Sequence, residues 1–272
     1  MTATATARAV ARPRPSARWP RALYSASFWW LLPCALAALW WHASAQHWVA
    51  PQLLVPPQRV AVTALALWAD GELPQNLAIT LRRLAVGFAW GASLGTVCGL
   101  LLARSRLFAD FVRPLFDILR QVPTLTLIPV LVIVIGIDEP LKIVVVAKAV
   151  FFPVALAVYG GVRDAPRDLI EMARHYGLGR AALLRDVLVP AALGPLLTGI
   201  RIALARAWLA LVAVELLAAD SGIGEMMEMA RQMLRIDIVL VDVFVIGLIG
   251  FALDQAIALA QRWSSRWQFP AR

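Results

Sequence analysis

Charged side chains inside apolar stretches are the residues of this sequence most able to do chemistry. Arg201, Trp208 and Glu215 recur every seven residues, so they lie on one face of a helix. Charged residues at membrane depth usually face a bundle interior or water, so this face could line a pathway. An arginine there would suit an oxyanion, which accepts paired hydrogen bonds. Alternatively, Arg201 lies within about three turns of the end of its apolar run and could simply reach the interface.

Two further cations, Arg206 and Lys148, lie inside apolar runs. Arg206 is deeper than Arg201 and on a different helical face, which favours an intramembrane role, with Glu215 or Asp242 as its partner. We therefore predict a set of candidate pathway residues on two helices. They are Arg201, Arg206, Trp208, Glu215 and Lys148.

The sequence lacks the residue patterns of common enzymes and metal sites. His42 and His47 have no cysteine or carboxylate near them in sequence, so we expect no metal site there. Cys34 and Cys98 both lie inside apolar runs, which does not support a disulfide framework. There is no Ser/His/Asp constellation and no Gly-x-x-x-x-Gly-Lys-Ser/Thr sequence. We expect that this chain binds no cofactor and does not itself hydrolyse ATP.

Composition identifies the class of protein. Of 272 residues, 61% are hydrophobic and 16% charged, and the mean hydropathy is +0.72. Soluble domains are nearer half apolar and a quarter charged. The net charge of +9 could indicate nucleic-acid binding, but the basic residues are nearly all arginines beside apolar runs. That placement follows the positive-inside rule, so we predict an integral membrane protein with no nucleic-acid partner.

Six apolar runs predict an all-α, polytopic protein with about six transmembrane helices. A helix needs about 20 apolar residues to cross a hydrocarbon core about 30 Å thick. The first run is short and is followed by Ala43-Ser44-Ala45, so a cleaved signal peptide is an alternative for it. The runs cover residues 27–41, 76–103, 115–137, 141–160, 190–218 and 238–261.

The domain organisation follows from these runs. Residues 1–26, rich in Ala, Pro and Arg, predict a disordered basic tail, and 27–272 form the membrane domain with its core at 76–261. The loops on one side hold about 17 Lys and Arg against 6 on the other. We therefore predict that both termini are cytoplasmic.

The cytoplasmic loop at 161–189 is long enough to be a structured element. Asp168 and Glu171 have the spacing of a capping box, and Gly177 can end the helix in a left-handed conformation. A second amphipathic helix, 180–188, then leads into Pro190. Two short helices at the membrane surface would make a rigid protrusion that a peripheral motor protein could bind.

This loop resembles the EAA loop of ABC importer permeases. The resemblance rests on Glu171-Met-Ala-Arg-His-Tyr-Gly177 followed by Val187-Leu-Val-Pro190, and it departs from the family pattern at Met172 and Val189. It implies that one set of residues couples the chain to an ATPase. These are Glu171, Ala173, Arg174, His175, Gly177, Leu178, Gly179 and Pro190.

Within the family, Leu169-Ile-Glu-Met-Ala-Arg174 with His175-Tyr-Gly-Leu-Gly179 looks most like the aliphatic sulfonate permeases. Other segments look like the wider nitrate/sulfonate/taurine branch. They include Leu119-Arg-Gln-Val-Pro123, Ala213-Val-Glu215-Leu and Ser221-Gly-Ile-Gly224. Val134-Ile135 departs from the branch, which often has Trp-Phe there.

The resemblance implies a MetI-like fold in the bacterial inner membrane, surrounded by lipid. It implies a homodimer that works with two cytoplasmic ATPase subunits, which use the ATP, and a periplasmic solute-binding protein. It implies alternating access and a small oxyanion substrate, first an aliphatic sulfonate and next taurine or nitrate. A secondary transporter or a membrane enzyme without an ATPase is the alternative.

Overall fold

The computed structural model describes residues 28–50, 53–164 and 167–265, and these residues form helices and turns without a strand. They fall into two units, Met1–Pro57 and Gln58–Arg272. In the first unit, α1 (Phe28–Ala45) is mostly apolar. The chain then folds back, and Trp40 Nε1 donates to the Val55 carbonyl at 3.1 Å. The tail predicted at 1–26 lies outside the described residues.

Three helices of the second unit are apolar and long enough to cross a membrane. They are α3 (Glu72–Arg104), α6 (Glu139–Arg163) and α11 (Ile236–Ser265). A short helix, α2 (Pro57–Ala69), precedes α3, and Thr63 Oγ1 in α2 donates to Asp237 Oδ2 in α11 at 3.0 Å.

Two further spans are bent. α4 (Arg106–Gln121) and α5 (Ile128–Ile135), joined through a 3₁₀ turn at Leu125–Leu127, form an angle of 89°. α9 (Val189–Ala218) and α10 (Ile223–Gln232) form an angle of 44°. Counting each bent pair as one span gives up to five spans, and α1 adds a shorter apolar helix. The fold is all-α, as predicted.

The third apolar run, predicted at 115–137, is thus two helices at nearly a right angle. Val122 is extended (φ −70°, ψ 116°) because the following Pro123 disfavours a helical conformation there. Pro129 causes no break, because it lies in the first turn of α5, where its missing N–H has no intrahelical partner to lose.

The core lies where α3, α6 and α9 pack together. α3 meets α6 along a stripe of glycines spaced four residues apart, Gly87, Gly91, Gly95 and Gly99. A Cβ on Gly91 would lie only 2.5 Å from the Ala147 carbonyl oxygen. The missing side chains let the two backbones approach closely, as small-residue stripes do in membranes.

The loop predicted at 161–189 contains α7 (Arg167–His175), α8 (Arg180–Leu183) and a π-helical turn, Leu184–Leu188. Two predictions about it were wrong in detail. Asp168 lies within the first turn of α7 rather than at its N-cap, where its charge still suits the helix dipole. The second helix, predicted at 180–188, is α-helical only at Arg180–Leu183 and continues as the π turn directly into α9.

Candidate functional site

The first candidate site is the exposed face of α7. Glu171, Met172, His175 and Tyr176 lie on this face, and Tyr176 is 80% exposed. Together with Asp168 they line a shallow groove. Ala173 is buried on the opposite face of the helix. The outward face of α7 thus carries both polar and apolar side chains, whereas Ala173 packs the other face of the helix against the protein.

Gly177 ends α7 as the sequence predicts. Its φ of +73° is left-handed, and the Leu178 N–H donates to the Ala173 carbonyl at 3.0 Å. This six-to-one bond is the Schellman arrangement that satisfies the last carbonyls of a helix. The link then turns through Gly179, whose carbonyl accepts from the Leu183 N–H at 2.9 Å.

The remaining predicted coupling residues lie along the same segment. Arg174 is in α7, and Pro190 is the second residue of α9. Between them, Arg185 donates to the carboxylate of Asp186 at 2.9 Å, and this hydrogen bond raises the pKa of Arg185. Both side chains are exposed, so this ion pair lies on the surface of the segment.

The second candidate site is a cavity of about 500 Å³ between the α4–α5 break, α6 and α9. Lys148 and Arg206, two of the predicted pathway residues, both line it. Lys148 Nζ donates to the Val122 carbonyl at 2.8 Å and to Thr124 Oγ1 at 3.3 Å. The helix break therefore positions this lysine, because it leaves the Val122 carbonyl outside any helix.

Arg206 lines the same cavity from α9 and is exposed. Among the described residues, no hydrogen-bond or ion-pair partner of Arg206 is found, and no carboxylate lines the cavity. Arg120 is the third basic residue there, and its charge is balanced by Asp117 at 3.3 Å. The cavity thus has two cations without a counter-charge in this part of the chain.

Glu215 does not line this cavity and does not pair with Arg206, contrary to one predicted alternative. It is buried and accepts from Arg83 Nη1 at 2.9 Å and from Thr80 Oγ1 at 2.9 Å. The Gly224 N–H also donates to it, at 3.2 Å. Asp242, the other predicted partner, is buried with no hydrogen bond to either carboxyl oxygen among the described residues.

Arg83 is a central residue that sequence reasoning missed. Its Nε donates to the Glu139 carboxylate at 3.0 Å, and its Nη1 donates to the Ser221 carbonyl at 2.6 Å. With Glu215, it joins α3, α6, α9 and the turn before α10, and we call this the Arg83 network. The only sequence signal was that charged residues near the ends of three apolar runs fall on the same side of the predicted membrane.

Arg201 and Trp208 contact α11. Arg201 Nε and Nη2 donate to the Asp254 carboxylate at 2.6 and 2.7 Å, and Trp208 Nε1 donates to the Ile246 carbonyl at 3.2 Å. Both line a smaller cavity of about 240 Å³. Because Arg201 is paired and Trp208 is buried, the seven-residue face mainly joins helices, and Arg206 is the cation left free on α9 within the described residues.

Comparison with known proteins shows the family. Residues 91–266 match the family described as "Binding-protein-dependent transport system inner membrane component". The chain is 38% identical over 238 residues to SsuC of Escherichia coli (strain K12), whose name refers to a permease for aliphatic sulfonates transport. That match covers 88% of this chain and 90% of SsuC.

Two other relatives have related names. The taurine transport system permease protein TauC of Escherichia coli (strain K12) is 34% identical, covering 85% of this chain and 86% of TauC. The nitrate import permease protein NrtB of Synechocystis sp. is 30% identical, covering 71% of this chain and 70% of NrtB. The resemblance to the nitrate/sulfonate/taurine branch is therefore confirmed, and these relatives are named as permeases rather than enzymes.

Solved structures confirm the fold. An amino acid ABC transporter solved with histidines has a TM-score of 0.61 at 14% identity, covering 74% of this chain and 96% of that chain. The MetNI methionine ABC transporter has a TM-score of 0.53 at 24% identity, covering 66% and 92%. At these identities the likeness concerns the fold alone, and that fold is the predicted MetI-like one.

Proposed function

Because this chain belongs to the family of binding-protein-dependent transport system inner membrane components, we propose that it is the permease subunit of an ATP-driven importer of small oxyanions. An aliphatic sulfonate is the first choice of substrate, and taurine or nitrate comes next, since the relatives' names refer to these compounds. ATP is bound and hydrolysed by a partner subunit.

The observation that carries this proposal is the position of the segment from α7 to the π turn. It lies between α6 and α9, two of the helices that build the core, and its π turn runs without a break into α9. A force applied to α7 would pass through the short link at residues 177–179 into the continuous helix that runs from α8 to α9, and so reach the core. The exposed groove around Glu171 is the surface that we assign to the ATPase.

The mechanism that we infer is alternating access by two copies of this chain. Each copy docks one cytoplasmic ATPase subunit on its α7 groove. When ATP closes the two ATPases, the α7 segments move together and the pathway opens outward. A periplasmic binding protein delivers the substrate at the opposite end, near the Arg83 network. Both termini are cytoplasmic, and lipid covers the remaining apolar faces.

The test is co-purification of the tagged chain with candidate ATPase subunits. We expect the wild type to retain an ATPase. Glu171→Arg should lose it by reversing a charge in the groove, and Gly177→Pro should lose it because proline cannot adopt the left-handed φ of Gly177. Asp70→Arg is the control, since it reverses an exposed charge at the other end of the second unit.

Two results would count against the proposal. One is retention of the ATPase by Glu171→Arg and Gly177→Pro when both variants insert normally. The other is uptake of the oxyanion in cells from which the companion ATPase has been deleted, which would indicate a secondary transporter instead.

A further inference from the structure

Lys148 and Arg206 face one cavity from two different helices, far from the helix ends. Lys148 is nine residues from the start of α6, and Arg206 is twelve residues from the end of α9. At 1.5 Å per residue, these positions are about 14 and 18 Å from the helix ends that carry the Arg83 network. In a hydrocarbon core about 30 Å thick, both cations are near the middle of the membrane.

Two cations at this depth are costly unless water or an opposite charge accompanies them. Arg201 has Asp254 and Arg120 has Asp117, but Lys148 and Arg206 have no carboxylate among the described residues. Lys148 uses two of its three N–H donors on the α4–α5 break, which leaves one, and Arg206 has five donors available. These donors can satisfy an oxyanion.

The remaining lining suits the rest of a small organic anion. Leu125, Phe152 and Leu209 supply apolar surface beside the two cations. The volume of about 500 Å³ is within the range of about 300–1,000 Å³ that is typical of small-molecule sites. A charged oxyanion head with a short alkyl group would thus find both kinds of contact in one place.

We propose that this cavity is a transit site for an anion, in which Lys148 and Arg206 bind the oxyanion group of the substrate. This inference rests on the proposed function, because a site at mid-membrane serves a solute only if the pathway passes through it. The membrane subunit itself would then favour negatively charged solutes, independently of the binding protein.

The same oxyanion chemistry is present in phospholipid headgroups, which are a second source of ligand. The depth of the two cations favours a soluble anion, because headgroups lie at the membrane surface rather than at its middle. The experiment therefore needs lipid compositions that separate the two sources.

The test is calorimetric binding of methanesulfonate to the purified full-length chain in nanodiscs of zwitterionic phosphatidylcholine. Dimethyl sulfone, which has nearly the same shape but no charge, is the ligand control. We expect methanesulfonate to bind and the sulfone to bind at least about tenfold more weakly. Lys148→Met and Arg206→Met should each weaken methanesulfonate binding by about 10- to 100-fold, the range for a hydrogen bond to a charged group.

Arg59→Met is the protein control, because it removes an exposed positive charge from α2, away from the cavity, and it should bind like the wild type.

The inference is overturned if methanesulfonate and the sulfone bind equally or if the cavity variants bind like Arg59→Met. It is also overturned if phosphatidylglycerol abolishes binding and co-purifies with the wild type but not with the cavity variants, since the site then holds a lipid headgroup. If selective methanesulfonate binding fails while the ATPase still co-purifies, the anion site is rejected and the proposed importer function is retained.

Discussion

At the scale of single residues, Arg83 shows how a charge is kept inside a membrane protein. Its side chain is 1% exposed and is shared between the carboxylates of Glu215 and Glu139 and both oxygens of Ser221. A buried ion pair adds little over a well-packed apolar pair, but removing one partner leaves a buried charge uncompensated. The Arg83 network therefore holds four chain segments in one arrangement.

We expect Arg83→Met to destabilise the protein by about 3–5 kcal/mol, because Glu215 is then buried without its ion-pair partner. Thermal unfolding of the detergent-solubilised protein measures this loss. Adding Glu215→Gln should restore part of the stability, since it removes the orphaned charge. Arg82→Met is the matched control, because Arg82 is the exposed neighbour, and its unfolding temperature should stay close to that of the wild type. Equal unfolding temperatures for Arg82→Met and Arg83→Met would contradict the role of the network.

At the scale of helices, the glycine stripe of α3 explains how α3 and α6 pack. Without side chains at Gly87, Gly91, Gly95 and Gly99, the backbone of α3 lies directly against residues 143–158 of α6. Apolar side chains gain little by leaving lipid for another helix, so close backbone contact is a main source of stability in such a pair.

Gly91→Ala tests the stripe. Its Cβ would lie 2.5 Å from a backbone carbonyl that cannot rotate away, so we expect a loss of about 1–3 kcal/mol from overpacking. Gly247→Ala in α11 is the matched control, because no atom lies within 4 Å of its Cβ position. That substitution should be neutral or stabilise by up to about 1 kcal/mol through helix propensity. The measurement is the unfolding temperature of each variant relative to the wild type. An unchanged unfolding temperature for Gly91→Ala would show that α3 and α6 are less closely packed than described.

At the scale of the whole molecule, the proposed mechanism requires that the α7 groove and the turn after α10 lie on opposite sides of the membrane. Along the chain, the helices α9 and α10 and the turn between them connect the α7 segment to the turn after α10. The arginine asymmetry of the loops predicts that α7 is cytoplasmic and that the turn near Met233 is periplasmic.

Cysteine labelling measures this orientation. In a background of Cys34→Ala and Cys98→Ala, we expect Met233→Cys to react with a membrane-impermeant maleimide added to intact spheroplasts. Met172→Cys should react only after the membrane is opened. Both methionines are exposed, 56% for Met172 and 65% for Met233, so a difference reflects sidedness rather than burial. The reverse labelling pattern would invert the topology and remove the ATPase from α7.

Much of this fold is predictable from local sequence. Apolar length predicts α3, α6, α9 and α11, and Gly177 marks the end of α7, because helix formation and helix ends depend on residues within a few positions of each other. Neither the angle of 89° after Gln121 nor the π turn before α9 was predicted. A proline indicates that a helix is interrupted, whereas the new direction depends on what the next helix packs against.

The sequence by itself determined the class of protein, most of its helices and its family, and it predicts a segment for coupling, because composition, periodicity and motif spacing are properties of the chain alone. Only the tertiary structure decided which charges are paired. Glu215 accepts from Arg83, 132 positions away, and Arg201 pairs with Asp254 across 53 positions, whereas Lys148 and Arg206 converge on one cavity unpaired. Such partnerships depend on the rotation and depth of each helix in the bundle, which are set by packing between distant segments rather than by the residues beside each charge.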